Sequence, residues 1–455
     1  MARSLFSGFR SQVSGFRFES WAGLRTSRFC GRARVPTGHA ISGFRFFLLR
    51  LLAPCSLLLA LLSGCTTAPR AYVEPPPLTA AERTDLNLKV FDAAWQLVND
   101  KHFDPNFRGV NWAAMRTKYR PDAALAKTDA ELYRVLGRMC RELRESHLVP
   151  MPPQRAHEFR TARRMAVGMG WAALEGRQVV TEIIPGGPAA LAGVQPGWIL
   201  LECEGRPLTE APPPSPQPGR PVTYTFLDLK NEAHTITFEP ELMETEQLVS
   251  QPLPGGYRYL RFDMFDRDSL LWLNRELKKH RDAPGVVIDL RDNPGGYIFT
   301  SNLAIAQFFD HRVSTGQFVR RSGRATEGTG WPFLSAKYRG RVAVLVGPAT
   351  GSAAEIFAHV LQYEKRATLV GRRTAGAVII SRTYSLPGGG SLQVPIQDYR
   401  GRDGQRIEGR GVYPDVRVPA PGLADLRNGR DPDVVSALTA IGAPVGATLA
   451  SAGQD

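Results

Sequence analysis

The chain has 455 residues, five of them Cys, and a formal charge of +14. That length holds two or three domains with a sizeable core. Residues 1–64 carry nine Arg and one Glu, so the rest carries only +6, too little to argue for nucleic acid, and no basic run with interleaved aromatics occurs. The Cys spacings offer no zinc site, there is no cofactor fingerprint, and the apolar surroundings of Cys140 and Cys203 predict two free buried thiols.

In chain order, residues 1–50 are rich in Arg and Phe and poor in acids. Phe46 to Leu62 is mostly apolar and leads into Leu62-Ser63-Gly64-Cys65. This resembles a bacterial lipoprotein signal peptide with its lipobox, in which Cys65 would be acylated and become the first mature residue. A transmembrane anchor is the other reading, but Arg50 and Pro54 interrupt a run that is already short for a span. Thr66 follows the Cys, not Asp, which by the same resemblance implies the outer membrane, facing the periplasm. Residues 65–80 form a Pro- and Ala-rich tether.

Residues 81–160 read as a helical segment. Leu86, Leu88, Val90, Phe91, Ala94, Trp95 and Val98 recur at helical spacing. Asn111-Trp112 opens a second helix, and Leu132, Val135, Leu136, Met139 and Leu143 mark a third. The third ends in Glu145-Ser146-His147, close to Pro150. A His at a helix end is more often structural than catalytic. It stays a candidate because a serine nucleophile needs a base.

Residues 165–245 change character. Gly168-Met169-Gly170-Trp171 leads into a strand, and Pro185-Gly186-Gly187-Pro188 to Gly197-Trp198 places paired turns around a short helix. This resembles a PDZ domain. The resemblance implies that the Gly168–Trp171 loop receives a peptide's terminal carboxylate and that the peptide adds as an edge strand. Trp198 stands where that family commonly has Asp.

Residues 250–422 read as an α/β core. Tyr257–Phe262 alternates like a strand, Ser269–His280 is helical, and Val286–Leu290 is a buried strand running into Arg291-Asp292-Asn293-Pro294-Gly295-Gly296. Val342–Val346 is another buried strand, and helical spacing begins at Ala353, so Ser352 sits where strand hands over to helix. Such a serine can be a plain helix cap or an exposed nucleophile with free N–H groups beside it. Glu355 fits a first-turn charge and His359 a core or surface residue. Residues 423–455 read as a tail.

Four motifs occur in fixed order: Asp289 to Gly296, Gly351-Ser352-Ala353-Ala354-Glu355, Gly371-Arg372-Arg373-Thr374-Ala375-Gly376, and Gly411-Val412-Tyr413-Pro414-Asp415. Together they resemble the C-terminal processing (tail-specific) serine peptidases and their tricorn-core relatives, over roughly residues 80 to 420. The resemblance implies a crotonase-like ββα core with a helical N-terminal segment and an inserted PDZ domain. Tail-specific members use a Ser–Lys dyad. The matching position here is Ala377, and no Lys follows Lys365. The tricorn-like plan of Ser, His and Glu, with a Ser beside the His, matches Ser352, His147, Glu408 and Ser146. The oxyanion would then be held by the N–H of Ala353 and that of Gly295 or Gly296.

The residue types suit the task. A serine hydroxyl needs a base to take its proton, and imidazole is the natural one. Whether Ser146 or Glu408 contacts His147 is open in the sequence. The expected function is an envelope-anchored serine endopeptidase acting on proteins or peptides, guided by their C-termini and needing no metal or cofactor. Two alternatives stand beside it: a catalytically inactive PDZ lipoprotein that binds protein tails, and a crotonase-like binder of small hydrophobic ligands.

Overall fold

The computed structural model describes residues 71–208, 215–244, 247–329 and 337–443. Helix α1 (Ala80–Lys101) starts at a reciprocal cap, in which Thr79 and Glu82 each accept the other's N–H. Asn111 caps α2 (Trp112–Ala124) and Thr128 caps α3 (Asp129–Arg141). Their apolar faces meet in one cluster around Phe91, Val98, Leu132, Leu136 and Met139. The segment is not helical throughout: β1 (Val149–Met151) interrupts it before α4 (Pro153–Thr161), because Pro150 and Pro152 suit an edge strand and a helix start better than a continuous helix.

Nine elements follow between residues 163 and 244. They are β2 (Arg163–Ala166), β3 (Met169–Leu174), β4 (Arg177–Ile183), α5 (Pro188–Leu191), β5 (Ile199–Cys203), β6 (Arg206–Pro207), β7 (Val222–Leu227), β8 (Ala233–Phe238) and β9 (Glu241–Glu244). The antiparallel sheet runs β3-β4-β5-β7-β8, with β6 beside β5 and a separate β2–β9 ribbon. Val222, Tyr224 and Phe226 alternate inward from β7 onto Val180, Ala189 and Leu200. Trp198 joins this core and stacks on His234, with ring centroids 5.2 Å apart. Cys140 and Cys203 are buried free thiols.

The remaining elements are β10 (Leu248–Pro252), β11 (Arg258–Phe262), α6 (Arg267–Lys279), β12 (Gly285–Asp289), α7 (Ile298–Ile305), β13 (Ser314–Arg320), β14 (Gly323–Gly328), β15 (Arg341–Val346), α8 (Ala353–Tyr363), β16 (Thr368–Gly371), β17 (Ile379–Ser385), β18 (Ser391–Arg400), β19 (Val416–Arg417), α9 (Leu423–Arg427) and α10 (Pro432–Ala440). The central sheet is β10-β11-β12-β15-β16-β19, parallel from β11 onward. Val286, Ile288, Val342, Val344 and Val346 face one core with Leu273, Ile356, Phe357 and Val360. Val287, Ala343, Leu345 and Val370 face the other, with Val434, Ala437 and Leu438 of α10. Both faces are covered, which is why these strands read as unbroken apolar runs. A second sheet, β1-β18-β13-β14 with β17 on β18, joins the helical segment to the core.

Residues 423–443 are therefore not a tail. They form α10, which seals one face of the central sheet, and α9, whose Leu423 packs with Val179 and Ile199 of the 163–244 unit. The short amphipathic stretch from Val434 to Leu438 was too brief to announce this by periodicity. No helix among the described residues is long and apolar enough to cross a membrane.

Candidate active site

Parallel strands end where their loops gather, and Ser352 lies in the loop from β15, between β12 and β16. Thr350 sets the turn: its Oγ1 accepts the N–H of Gly347 and donates to the Leu290 carbonyl at 2.6 Å. Ser352 has φ 51° and ψ −119°. A non-glycine residue held there is strained and marks a sharp strand-to-helix elbow. Its N–H donates to the Ala377 carbonyl at 2.9 Å and faces Glu355 Oε2 at 3.2 Å. The Glu355 N–H goes to the Ser352 main-chain carbonyl at 3.0 Å. Backbone groups and Glu355 thus supply these helix-start bonds, so a plain cap does not account for the hydroxyl. Ser352 is 8 % exposed.

Ser146 and His147 follow α3 in the turn before β1, and β1 pairs with β18. Glu408 lies in the turn after β18. This pairing closes a gap of 262 residues: Ser146 N–H donates to Glu408 Oε1 and Ser146 Oγ to Glu408 Oε2, both at 2.9 Å. Ser146 Oγ also lies 2.7 Å from His147 Nδ1. Its single proton is committed to Glu408, so Nδ1–H is the donor in that bond. The hydrogen-bond pattern assigns the tautomer whose basic lone pair is on Nε2. Ser146 therefore contacts both partners and stands between them. Burial pushes the His147 pKa down to about 4, so the ring is neutral at neutral pH. Burial pushes Glu408 upward, against the hydrogen bonds from Ser146.

Gly295 and Gly296 have φ 114° and 138°. A Cβ on Gly295 would lie 2.6 Å from Ser352 Cβ and 2.9 Å from Ala353 N, so only glycine lets this loop meet the elbow. The Gly295 N–H donates to Asn293 Oδ1 at 2.9 Å and its carbonyl accepts from Phe265. Gly295 therefore shapes the wall, and the expectation that its N–H faces an oxyanion is corrected. The main-chain bridge between Phe265 and Gly296 uses the Gly295 carbonyl and the Tyr297 N–H, which leaves the Gly296 N–H turned away from Phe265. Among the described residues neither the Gly296 nor the Ala353 N–H has a hydrogen-bond partner.

The model for peptidase family S41 matches residues 256–418, and that for the tricorn protease C1 domain matches residues 87–141. The chain thus carries a peptidase family S41 domain preceded by a tricorn protease C1 domain. A carboxyl-terminal-processing protease of Picosynechococcus is 27 % identical over 403 residues, covering 84 % of this chain and 92 % of that one. A putative tricorn protease homolog 2 of Streptomyces coelicolor is 25 % identical over 76 % of this chain, but this chain spans only 31 % of its length. The solved photosystem II D1 C-terminal processing protease shares the mixed α/β fold, with TM-score 0.51 and 22 % identity over 73 % of this chain and 93 % of that one. With that domain, and with carboxyl-terminal-processing proteases as its relatives, the chain is a serine-type peptidase.

One organiser of the S41 elbow was not read as such from sequence. Glu355 is fully buried and accepts from the Thr374 hydroxyl, from Gly376 N–H at 2.8 Å and from Ala377 N–H at 2.8 Å. The next N–H, of Val378, goes to Glu408 Oε2 at 2.7 Å. Two buried carboxylates thus hold three consecutive N–H groups of one strap, whose Ala377 carbonyl holds Ser352. Burial raises Glu355 to about 7, with Glu408 adding to it. The available signal was Glu at the third position of a helix that starts with Ser. His359 is a core residue whose Nε2 accepts from Arg402 N–H at 3.1 Å.

Gly168, Met169, Gly170 and Trp171 do not join this cluster. They lie at the start of β3, an edge of its sheet, with Gly168 at φ 79°. Gly170 sits opposite Glu182 on β4. Glu182 meets Arg261 Nη2 at 2.7 Å, and the same nitrogen lies 3.6 Å from Asp292 in the Gly295 loop. Cys65 lies outside the described residues. Asp228, Glu232 and His234 have donor atoms within 4.8 Å of one another, but these belong to the β7–β8 hairpin, where Asp228 accepts from Lys230, Glu232 and His234.

Proposed function

We propose that this peptidase is an endopeptidase in which Ser352 is the nucleophile and His147 the general base. The observation that carries this reading is Ser146 Oγ, bonded to both His147 Nδ1 and Glu408 Oε2. It orients the imidazole so that Nε2 is the proton acceptor. The Ser352 proton passes to Nε2 as Oγ attacks the scissile carbonyl. The N–H groups of Gly296 and Ala353 receive the oxyanion. His147 then returns the proton to the leaving amine, while Ser146 passes the charge preference of Glu408 to the imidazolium. The acyl-enzyme is hydrolysed by water along the same route. Ala377 cannot act as a base, which fits a His plan in place of a Lys.

The finer reading has three further parts. The central sheet with its helices is a crotonase-like core. The 163–244 unit is PDZ-like and captures substrate C-termini along β3. Cys65 carries a lipid that anchors the protein in the envelope. Supporting the second part, β3 is an edge strand with a positive-φ glycine at its start. The rival reading, a catalytically inactive tail binder, draws on Ser352, His147 and Glu408 all being buried. Labelling with a fluorophosphonate separates them: covalent modification of wild type but not of Ser352→Ala supports the peptidase mechanism, and an unlabelled wild type overturns it.

A further inference from the structure

A buried ion cluster lies behind the two S41 loops that flank Ser352, and the proton relay does not use it. Strands β12 and β16 are the neighbours of β15. Arg291 follows β12 and opens the loop to Gly296. Arg372 follows β16 and opens the loop to the Ala377 strap. Both guanidinium groups converge on Asp433, in the first turn of α10 and fully buried. Arg372 Nη1 lies 2.6 and 2.7 Å from its two oxygens, and Arg291 Nη1 donates to Oδ2 at 2.8 Å. Asp431 and Asp289 also receive Arg291, at 2.7 and 2.6 Å. Burial works against the Asp289 charge, but Arg291 holds its carboxyl down at about 2, so Asp289 stays ionised at neutral pH.

We propose that Asp433 is a positioning residue that spans the end of β15 and fixes the spacing of the Gly296 loop and the Ala377 strap about Ser352. The inference rests on Ser352 being the nucleophile. One loop supplies an oxyanion N–H and the other holds the Ser352 N–H and, through Val378, Glu408. A carboxylate gripping the root of both loops sets their separation without touching substrate. Donors that act only on the transition state change turnover when displaced, and leave ground-state binding nearly as it was. The competing account is that the cluster merely fastens α10 to the sheet.

Turnover per active site separates the two accounts. Wild type, Ser352→Ala, Asp433→Asn and Asp433→Glu are titrated with a fluorophosphonate, and hydrolysis of an internally quenched peptide is expressed per titrated site. Asp433→Asn keeps a side-chain oxygen for Arg372 to donate to, while Asp289 and Asp431 still hold Arg291. Its kcat per site should fall about tenfold or more with KM changed less than about twofold, since small misplacements cost rate steeply. Asp433→Glu should recover part of the loss. Fewer titratable sites with unchanged kcat per site would show fastening alone and overturn the proposal. If Asp433→Asn does not fold, Arg372→Lys gives the same readout, because Asp433 keeps Arg291 there. Labelling of Ser352→Ala would instead overturn the nucleophile assignment.

Discussion

At the scale of single residues, the site depends on proton positions set by burial. An exposed imidazole would titrate near 6.5. Burial holds His147 at about 4 instead. Activity should therefore rise as the ring loses its proton, with the acid limb of kcat/KM near 4, and a pH–rate profile checks it. The sign for stability follows from linkage. Between about 4 and 6.5 the unfolded His binds a proton that the folded one refuses, so this residue's contribution is lost as pH falls through that window. His147→Ala and Ser352→Ala should each remove most turnover, and the double variant should be little worse, since the two act as a unit. Glu408→Gln should cost less than either, because it acts through Ser146. Near-wild-type hydrolysis by purified His147→Ala would show that the base lies elsewhere.

At the scale of elements, the elbow is a joint between two loops, and each side makes a separate demand. A side chain at Gly295 would run into Ser352 Cβ and the Ala353 backbone. Gly295→Ala should fold more weakly and lose most fluorophosphonate labelling. Glu355 faces only donors: the N–H groups of Ser352, Gly376 and Ala377, and the Thr374 hydroxyl. In Glu355→Gln the amide NH2 must face one of those donors, and an unsatisfied buried pair costs about 1–3 kcal/mol. Urea denaturation should show a loss of that size, and turnover should drop with it. The strands, the helices and the place of Ser352 between strand and helix were legible because apolar period and turn residues are local signals, whereas Glu408 became a candidate only through the family resemblance. The bridging role of Ser146 was not, since 262 residues separate it from Glu408 and only sheet pairing joins them. Nor was the burial of Glu355, since a first-turn acid reads as solvent-facing until Thr374 to Ala377 fold over it. The choice of Gly296 over Gly295 hinged on one side chain, Asn293, which takes the Gly295 N–H.

At the scale of the whole molecule, α10 shows how tertiary packing outruns sequence pattern: residues read as a tail cover one face of the central sheet. The proposed route from substrate to site is also a property of the whole. The β3 edge offers main-chain groups to an incoming strand, and Gly168 at its start can turn N–H groups toward a terminal carboxylate without Cβ interference. Gly170 sits opposite Glu182, which meets Arg261, and Arg261 in turn lies 3.6 Å from Asp292 in the Gly295 loop. A peptide with a free, apolar C-terminus should therefore bind and be cleaved better than the same peptide amidated, because only the carboxylate uses the loop's N–H groups. The difference should lie mainly in KM, since the contact is remote from the bond broken and is made equally in ground and transition states. Isothermal titration with Ser352→Ala measures the binding half without turnover. Equal affinity and equal KM for acid and amide would mean that this unit does not read the terminus, and would leave β3 as a wall of the substrate path alone.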